Sequence, residues 1–295
     1  MAYSSRNQTG VALLAAILLL VTATAIMVSI THEQAFAIHK TSRIHLADRA
    51  RLYALGLEDW AQIYLKNDRE DSEVDHLGED WAVGVPVLPI EGGYLSGYME
   101  DEQSRLNLNG LGKSEVSLNR FIRLCNNLDI DTNFVPALLD WVDEDLDVRY
   151  PDGAEEHYGN YRVANRPMVD ISELLLVKNV TPELYNQLKP YITVLPVATN
   201  INVNTMPEAI YLALGENLDG GAFVEARDSE EFKSVEDFIT RLQVPLEESG
   251  LSTATNYFRA HGQVTQGDLV LSMDSLIHRE DSGKTSVISR TLGQF

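Results

Sequence analysis

The first strong pattern in the chain is an unbroken apolar run, VALLAAILLLVTATAIMVSI, from Val11 to Ile30, with only Thr22, Thr24 and Ser29 as polar interruptions. At a rise of about 1.5 Å per residue it spans roughly 30 Å, the hydrocarbon thickness of a bilayer. Beyond Ile30 the pattern stays helical. Ala47, Ala50, Ala54, Leu57, Ala61 and Tyr64 recur at intervals of three and four, an amphipathic stripe. No Gly or Pro interrupts Val11 to Tyr53, and Gly56 is the only breaker before Lys66. The spacing therefore predicts one helix over 11–66, membrane-spanning over 11–30.

Seven acids and one arginine between Asp68 and Asp80 read as a solvated loop. Alternation then predicts strands over Ala82–Leu88 and Tyr94–Met99, joined through Pro89 and Gly92-Gly93. From Leu111 onward the pattern is mainly helical: Val116–Asn127, Asn133–Glu144, Ile171–Val177, Pro182–Leu188, Pro207–Leu214 and Val235–Leu242. Asp131-Thr132, Asp170 and Thr181 suit N-caps, and Pro182 and Pro207 suit first turns. Alternation returns in Gln263–Thr265, Leu269–Met273 and, after a Gly283-Lys284 turn, Ser286–Arg290. A sheet begun before a helical block and resumed after it implies an α+β fold with a large inserted α-helical domain. The expected division is a leader over 1–10, the helix, a first sheet portion over 67–110, the insertion over 111–256 and closing strands over 257–295.

The apolar run admits three readings. A secretory signal could be cut at Ala23-Thr24-Ala25 or Ala35-Phe36-Ala37. An uncleaved anchor needs only the run. A third possibility is a leader cut on the cytoplasmic side, after Gly10. Arg6 before the span and an acidic bulk after it favour a cytoplasmic N-terminus. The formal net charge of -21 argues against binding nucleic acid, whose phosphates need clustered cations. Cys125 is the only cysteine, so neither an internal disulfide nor a cysteine zinc site can form. There is no G-x-S-x-G, no HExxH and no phosphate-cradling glycine loop, and His32, His39 and His45 fall on the long helix, so no catalytic constellation is expected. The segment DWVDEDLDVRYPDGAEE offers Asp143, Asp145, Asp147, Asp152, Glu155 and Glu156 as hard oxygen ligands. The 143, 145, 147 spacing is like the opening of a Ca²⁺ loop, although Val148 stands where an EF-hand has its glycine. A solvated loop is the alternative.

The Gly10-Val11 junction followed by VALLAAILLL resembles the type IV pilin superfamily, and within it the GspK-type minor pseudopilins of type II secretion. The resemblance extends over nearly the whole chain, through Leu106-Asn107-Leu108-Asn109, Trp141-Val142-Asp143-Glu144-Asp145, Ala164-Asn165-Arg166-Pro167, Asp170-Ile171-Ser172-Glu173-Leu174 and Ile201-Asn202-Val203-Asn204-Thr205. It implies a pilin-like sheet with an inserted α-domain and a prepilin peptidase cut that leaves Val11 first. It further implies a place at the fibre tip beside other minor pseudopilins and the major pseudopilin, an inner-membrane anchor with a periplasmic body, and a tendency to bind calcium. Most of the superfamily carries a glutamate at the fifth mature position, where this chain has Ala15. That carboxylate is understood to be neutralised by the subunit ahead, so its absence fits a subunit with none ahead. The Ala47, Ala50, Ala54, Leu57, Ala61 stripe is then expected to pack against partner helices. A competing resemblance joins Ile201–Thr205 to Phe232–Phe238, like a helix-hairpin-helix DNA-uptake receptor. Its glycines, Gly215 and Gly220-Gly221, sit among Glu216, Asp219 and Glu225, a poor phosphate cradle.

Overall fold

The computed structural model describes residues 9–151, 153, 163–246 and 249–294. Helix α1, Thr9–Asp71, runs beyond the expected stop at residue 66. Its last turn, rich in acids that oppose the helix dipole, is steadied by Arg69 and by Arg279 from the far end of the sheet, which donates to Leu65 O and Asp68 Oδ2. Up to Arg49 the rod touches little of the rest of the chain. From Ala50 onward it lies on a five-stranded antiparallel sheet.

The acidic segment after α1 is not a solvated loop. It folds back through the buried Asp75 into a one-turn helix, α2 (Asp80–Val83), so the first strand starts later than expected. The sheet strands on this side are β1 (Val85–Ile90) and β2 (Gly93–Asp101), and Gly92 turns the hairpin at φ +82°. Gly93 is fixed by its surroundings, since a Cβ there would run into the carbonyl of Thr265. The chain leaves the sheet at Glu102 and returns at Tyr257.

The intervening residues form a separate body: β3 (Leu106–Asn107), α3 (Glu115–Asn127), α4 (Val135–Val142), α5 (Pro182–Leu188), β4 (Ile192–Thr193), β5 (Ile201–Asn202), α6 (Glu208–Leu214), α7 (Gly220–Ser229), α8 (Val235–Leu242) and β6 (Leu251–Ser252). Ile171–Leu176 is a 3₁₀ segment, not an α-helix. The body begins earlier than residue 111, because Leu106, Leu108 and Leu111 all lie in its core with Phe121, Leu138, Leu174, Tyr211 and Phe238. Helix α7 opens where Gly220-Gly221 suggested a hairpin. Asp219 caps it by accepting from Ala222 N. Asp131, Asp170 and Thr181 cap their segments through Asn133 N, Ser172 N and Leu184 N.

The strands β7 (Tyr257–Gln266), β8 (Leu269–Arg279) and β9 (Thr285–Gln294) complete the sheet in the order β1-β2-β7-β8-β9, every neighbour antiparallel. Alternate residues Leu95, Met99, Phe258, Ala260, Val264, Leu271, Met273 and Ile277 form the face on which α1 packs.

Two asparagine pairs explain the LNLN and INVNT stretches. Asn107 Oδ1 accepts from Asn109 N, and Asn109 clasps Met168, accepting its N–H at 2.8 Å and donating to its carbonyl at 2.9 Å. Likewise Asn202 Oδ1 accepts from Asn204 N, and Asn204 clasps Phe232 at 2.7 and 3.0 Å. Each clasp follows a two-residue parallel strand pair, β3 with β4 and β5 with β6. The body thus uses one device twice: a buried amide standing in for a strand partner.

Candidate assembly site

At the membrane end, Gly10 lies in the first turn of α1, and Val11 and Ala15 sit on the exposed rod. The hydroxyls of Thr22, Thr24 and Thr31 donate to the carbonyls of Leu19, Leu20 and Met27, so the polar groups of this segment are satisfied within the helix. The run from Val11 is long and apolar enough to cross a membrane and has no burial inside the protein.

The alanine stripe does not face outward. Ala50, Ala54 and Ala61 are buried against the chain's own sheet, with Leu57 partly buried beside them and Ala47 half-buried at the edge. The expectation that these residues meet partner helices is corrected: the small side chains let α1 settle close to β7 and β8. Between them Glu58 is also buried, accepting from Arg290 Nε at 2.8 Å and from Ser275 Oγ. Burial opposes its charge, but Arg290 and Ser275 outweigh it and hold the carboxyl below its ordinary range.

Where rod, sheet and body meet there is a buried polar junction that periodicity gave no sign of. Asp101, at the end of β2, accepts from Gln103 N at 2.6 Å through Oδ1 and through Oδ2 from Asn202 Nδ2 at 3.0 Å, Thr205 Oγ1 at 2.5 Å and Thr255 Oγ1 at 2.6 Å. Asp75 accepts from Thr255 N at 2.7 Å and from Arg279, while its carbonyl accepts from Asn202 Nδ2. Arg279 stacks 4.7 Å over Phe258 and pairs with Asp68 at 2.8 Å. Burial pushes Asp101 up to about 6 and raises Asp68 despite Arg279. Asp68, Asp75 and Glu79 place oxygens within 4.8 Å of one another, and Arg279 supplies a counter-charge to the first two.

The expected calcium ligands are dispersed. Arg149 donates to Asp140 Oδ1 at 3.0 Å and to Asp143, and Asp145 Oδ1 accepts from Asp147 N at 2.9 Å. Among the described residues Asp143 Oδ1 is buried without a hydrogen-bond partner. Asp152, Glu155 and Glu156 lie outside the described residues. Cys125 is buried, and burial pushes its thiol up to about 12, which keeps it inert. Of the glycines in the hairpin resemblance, Gly215 closes α6 and Gly220-Gly221 open α7 under the Asp219 cap.

The comparisons agree with this architecture. Residues 104–197 match the family described as Type II secretion system (T2SS), protein K. Over 98% of its length the chain is 33% identical to the type II secretion system protein K of Pseudomonas aeruginosa, covering 94% of that protein. The chain belongs to the type II secretion system protein K family. The protein K of Aeromonas hydrophila is 27% identical over 98% of both chains. A chain in the crystal structure of the GspK-GspI-GspJ complex from the enterotoxigenic Escherichia coli type 2 secretion system superposes with a TM-score of 0.79 at 27% identity, covering 86% of this chain and 99% of that one. The protein is accordingly a pseudopilin of type II secretion, and none of these relatives supports the DNA-uptake reading.

Proposed function

We propose that the protein is a non-catalytic tip subunit of the pseudopilus, nucleating the fibre with other minor pseudopilins during export across the outer membrane. The observation that carries this is a rod with no carboxylate from Val11 to Ile30, continuous with the helix on which a bulky body folds. With Ala15 in place of a buried acid, the rod makes no demand for a subunit ahead of it. The body between Glu102 and Asn256 adds bulk that a shaft position would have to accommodate. The solved relative is in complex with GspI and GspJ, which supports their counterparts as this chain's partners.

In this reading prepilin peptidase cuts after Gly10, the rod stays in the inner membrane with its N-terminus cytoplasmic, the body is periplasmic, and the major pseudopilin joins below. Immunogold labelling of isolated pseudopili against this chain should mark one end only. Label distributed along the shaft refutes the tip assignment. N-terminal mass mapping should find Val11 first, and a start after Ala25 or Ala37 would discard the class of processing.

Calcium is a separate proposal. Asp143, with a buried oxygen that accepts no hydrogen bond, and the nearby Asp145 and Asp147 carry hard oxygens of the kind Ca²⁺ prefers, and binding would require them to converge beside Arg149. Millimolar CaCl₂ should raise the melting temperature, and Asp143→Asn with Asp145→Asn should abolish the rise. An unchanged wild-type melt removes the proposal.

A further inference from the structure

The chain crosses between sheet and body twice, outward through Glu102–Arg105 and back into β7 at Tyr257. Beside these crossings, on the sheet face turned away from α1, runs a row of charges. Glu100 pairs with Arg105 at 2.5 Å. Arg105 lies 3.7 Å from Glu102, which also holds Arg259 of β7 and accepts from Thr193 of the body. His261 ends the row. Its Nδ1 meets Asp274 Oδ1 of β8 at 2.5 Å, and its Nε2 faces Glu100 Oε2 at 3.7 Å. Tyr98 stacks on the ring at 4.5 Å, and Asp170 of the body interacts electrostatically with Arg259. Helix α1 lies behind the sheet, where Arg290 and Ser275 occupy its Glu58.

A neutral imidazole has one N–H and one lone pair. Whichever nitrogen of His261 holds the proton, the other turns its lone pair toward a carboxylate. Only the imidazolium answers both acids. Nε2 is buried and makes no hydrogen bond among the described residues, so bulk water does not relieve the mismatch. The charges balance the same way: Glu100, Glu102 and Asp274 face two guanidiniums, and a charged His261 makes the row neutral. We infer that His261 is a proton-operated latch at the neck, fixing the body on the sheet while charged and letting it swing when neutral. This goes beyond the assembly reading and does not depend on it. Loss of the Nε2 proton to solvent sets a lone pair against Glu100. That acid is pushed from its place beside Arg105, and Glu102 to Arg259 is left as the charged tie between outward crossing and sheet. Burial opposes the charge on His261, but Glu100 and Asp274 outweigh it and raise the imidazole above its ordinary 6.5. The hold is therefore complete below pH 6.5 and is lost as pH rises through the higher folded value.

The test uses the full chain in detergent, spin-labelled at Lys233→Cys on the body and Lys284→Cys at the β8–β9 turn, both exposed, with the buried Cys125 left unlabelled. The distance distribution between the labels should be narrow at pH 7 and broaden in one step on titration to about pH 10, with a midpoint above 6.5. His261→Gln, neutral at every pH, should give a broad distribution throughout. Glu100→Gln turns an amide donor toward the neutral Nε2 and should abolish the step. A wild-type width that does not change across the range overturns the inference, and so does a step that survives in His261→Gln. The melt of each variant at pH 7 reports whether it folds, and a flat wild-type titration overturns the latch without either of them.

Discussion

Asp101 is a buried acid with four hydrogen-bond donors and no cation among its direct hydrogen-bond partners, and its titration has a definite sign. Burial pushes its carboxyl up to about 6, against an ordinary value of 3.8, so between these values the folded chain holds a proton that the unfolded chain has released. Its contribution to stability is complete below pH 3.8 and is lost as pH rises through about 6, by roughly 3 kcal/mol in all. Glu100 behaves oppositely. The nearby His261 imidazole, with Arg105, holds it down to about 2 against burial, so its contribution is present above pH 4.5 and lost as pH falls through about 2. Asp101→Asn should therefore flatten the decline in melting temperature between pH 4 and 6 while leaving the steeper acid limb in place, and a decline that persists in the variant would show that another group drives it. Arg279 is a sharper case. Arg279→Met leaves Asp68 and Asp75 without their guanidinium in a buried site and should cost about 3–5 kcal/mol, read as a fall in denaturant midpoint.

At the scale of elements, the stripe on α1 separates buried from marginal positions. Ala54→Leu forces a larger side chain between α1 and the sheet and should cost about 1–3 kcal/mol, whereas Ala47→Leu at the half-buried edge should change the melt little. Equal effects at the two positions would mean the helix sits differently on the sheet. The stripe was legible because helical spacing of small residues is a local signal. Its partner was not, because period alone cannot distinguish a chain's own sheet from a neighbouring helix. Helix α7 escaped because two glycines at a helix start look like a turn, and only the Asp219 cap marks it. The acidic run after α1 misled for a different reason: the arginine that neutralises Asp68 and Asp75 stands some two hundred residues later. Charge around the span is also a weak guide. Lys40, Arg43 and Arg49 follow it closely while Arg6 precedes it, a balance that runs against a cytoplasmic N-terminus, so the orientation proposed above draws no support from the count of cations.

Among the described residues one apolar cluster fills the helical body, two lie between α1 and the sheet on either side of Glu58, and a small cluster of Leu195, Tyr257 and Leu276 sits where body and sheet meet. What joins the halves is the polar junction, in which Asn202 and Thr205 of the body reach Asp101, Asp75 and Thr255 at the sheet's end. Hydrogen bonds of this kind add modest net stability when complete, but an abandoned buried partner costs about 1–3 kcal/mol each. Asn202→Ala removes the amide that touches Asp75 O, Asp101 Oδ2 and Thr255 Oγ1 at once, and also leaves Asn204 N in the body without its acceptor, so most of the lost bonds are ones that couple the halves. Calorimetry of the detergent-solubilised chain should then resolve two transitions where the wild type gives one, the body melting apart from the sheet. A single transition merely shifted to lower temperature would show that the covalent links at Glu102 and Asn256, with the small apolar cluster, suffice to make the halves fold as one.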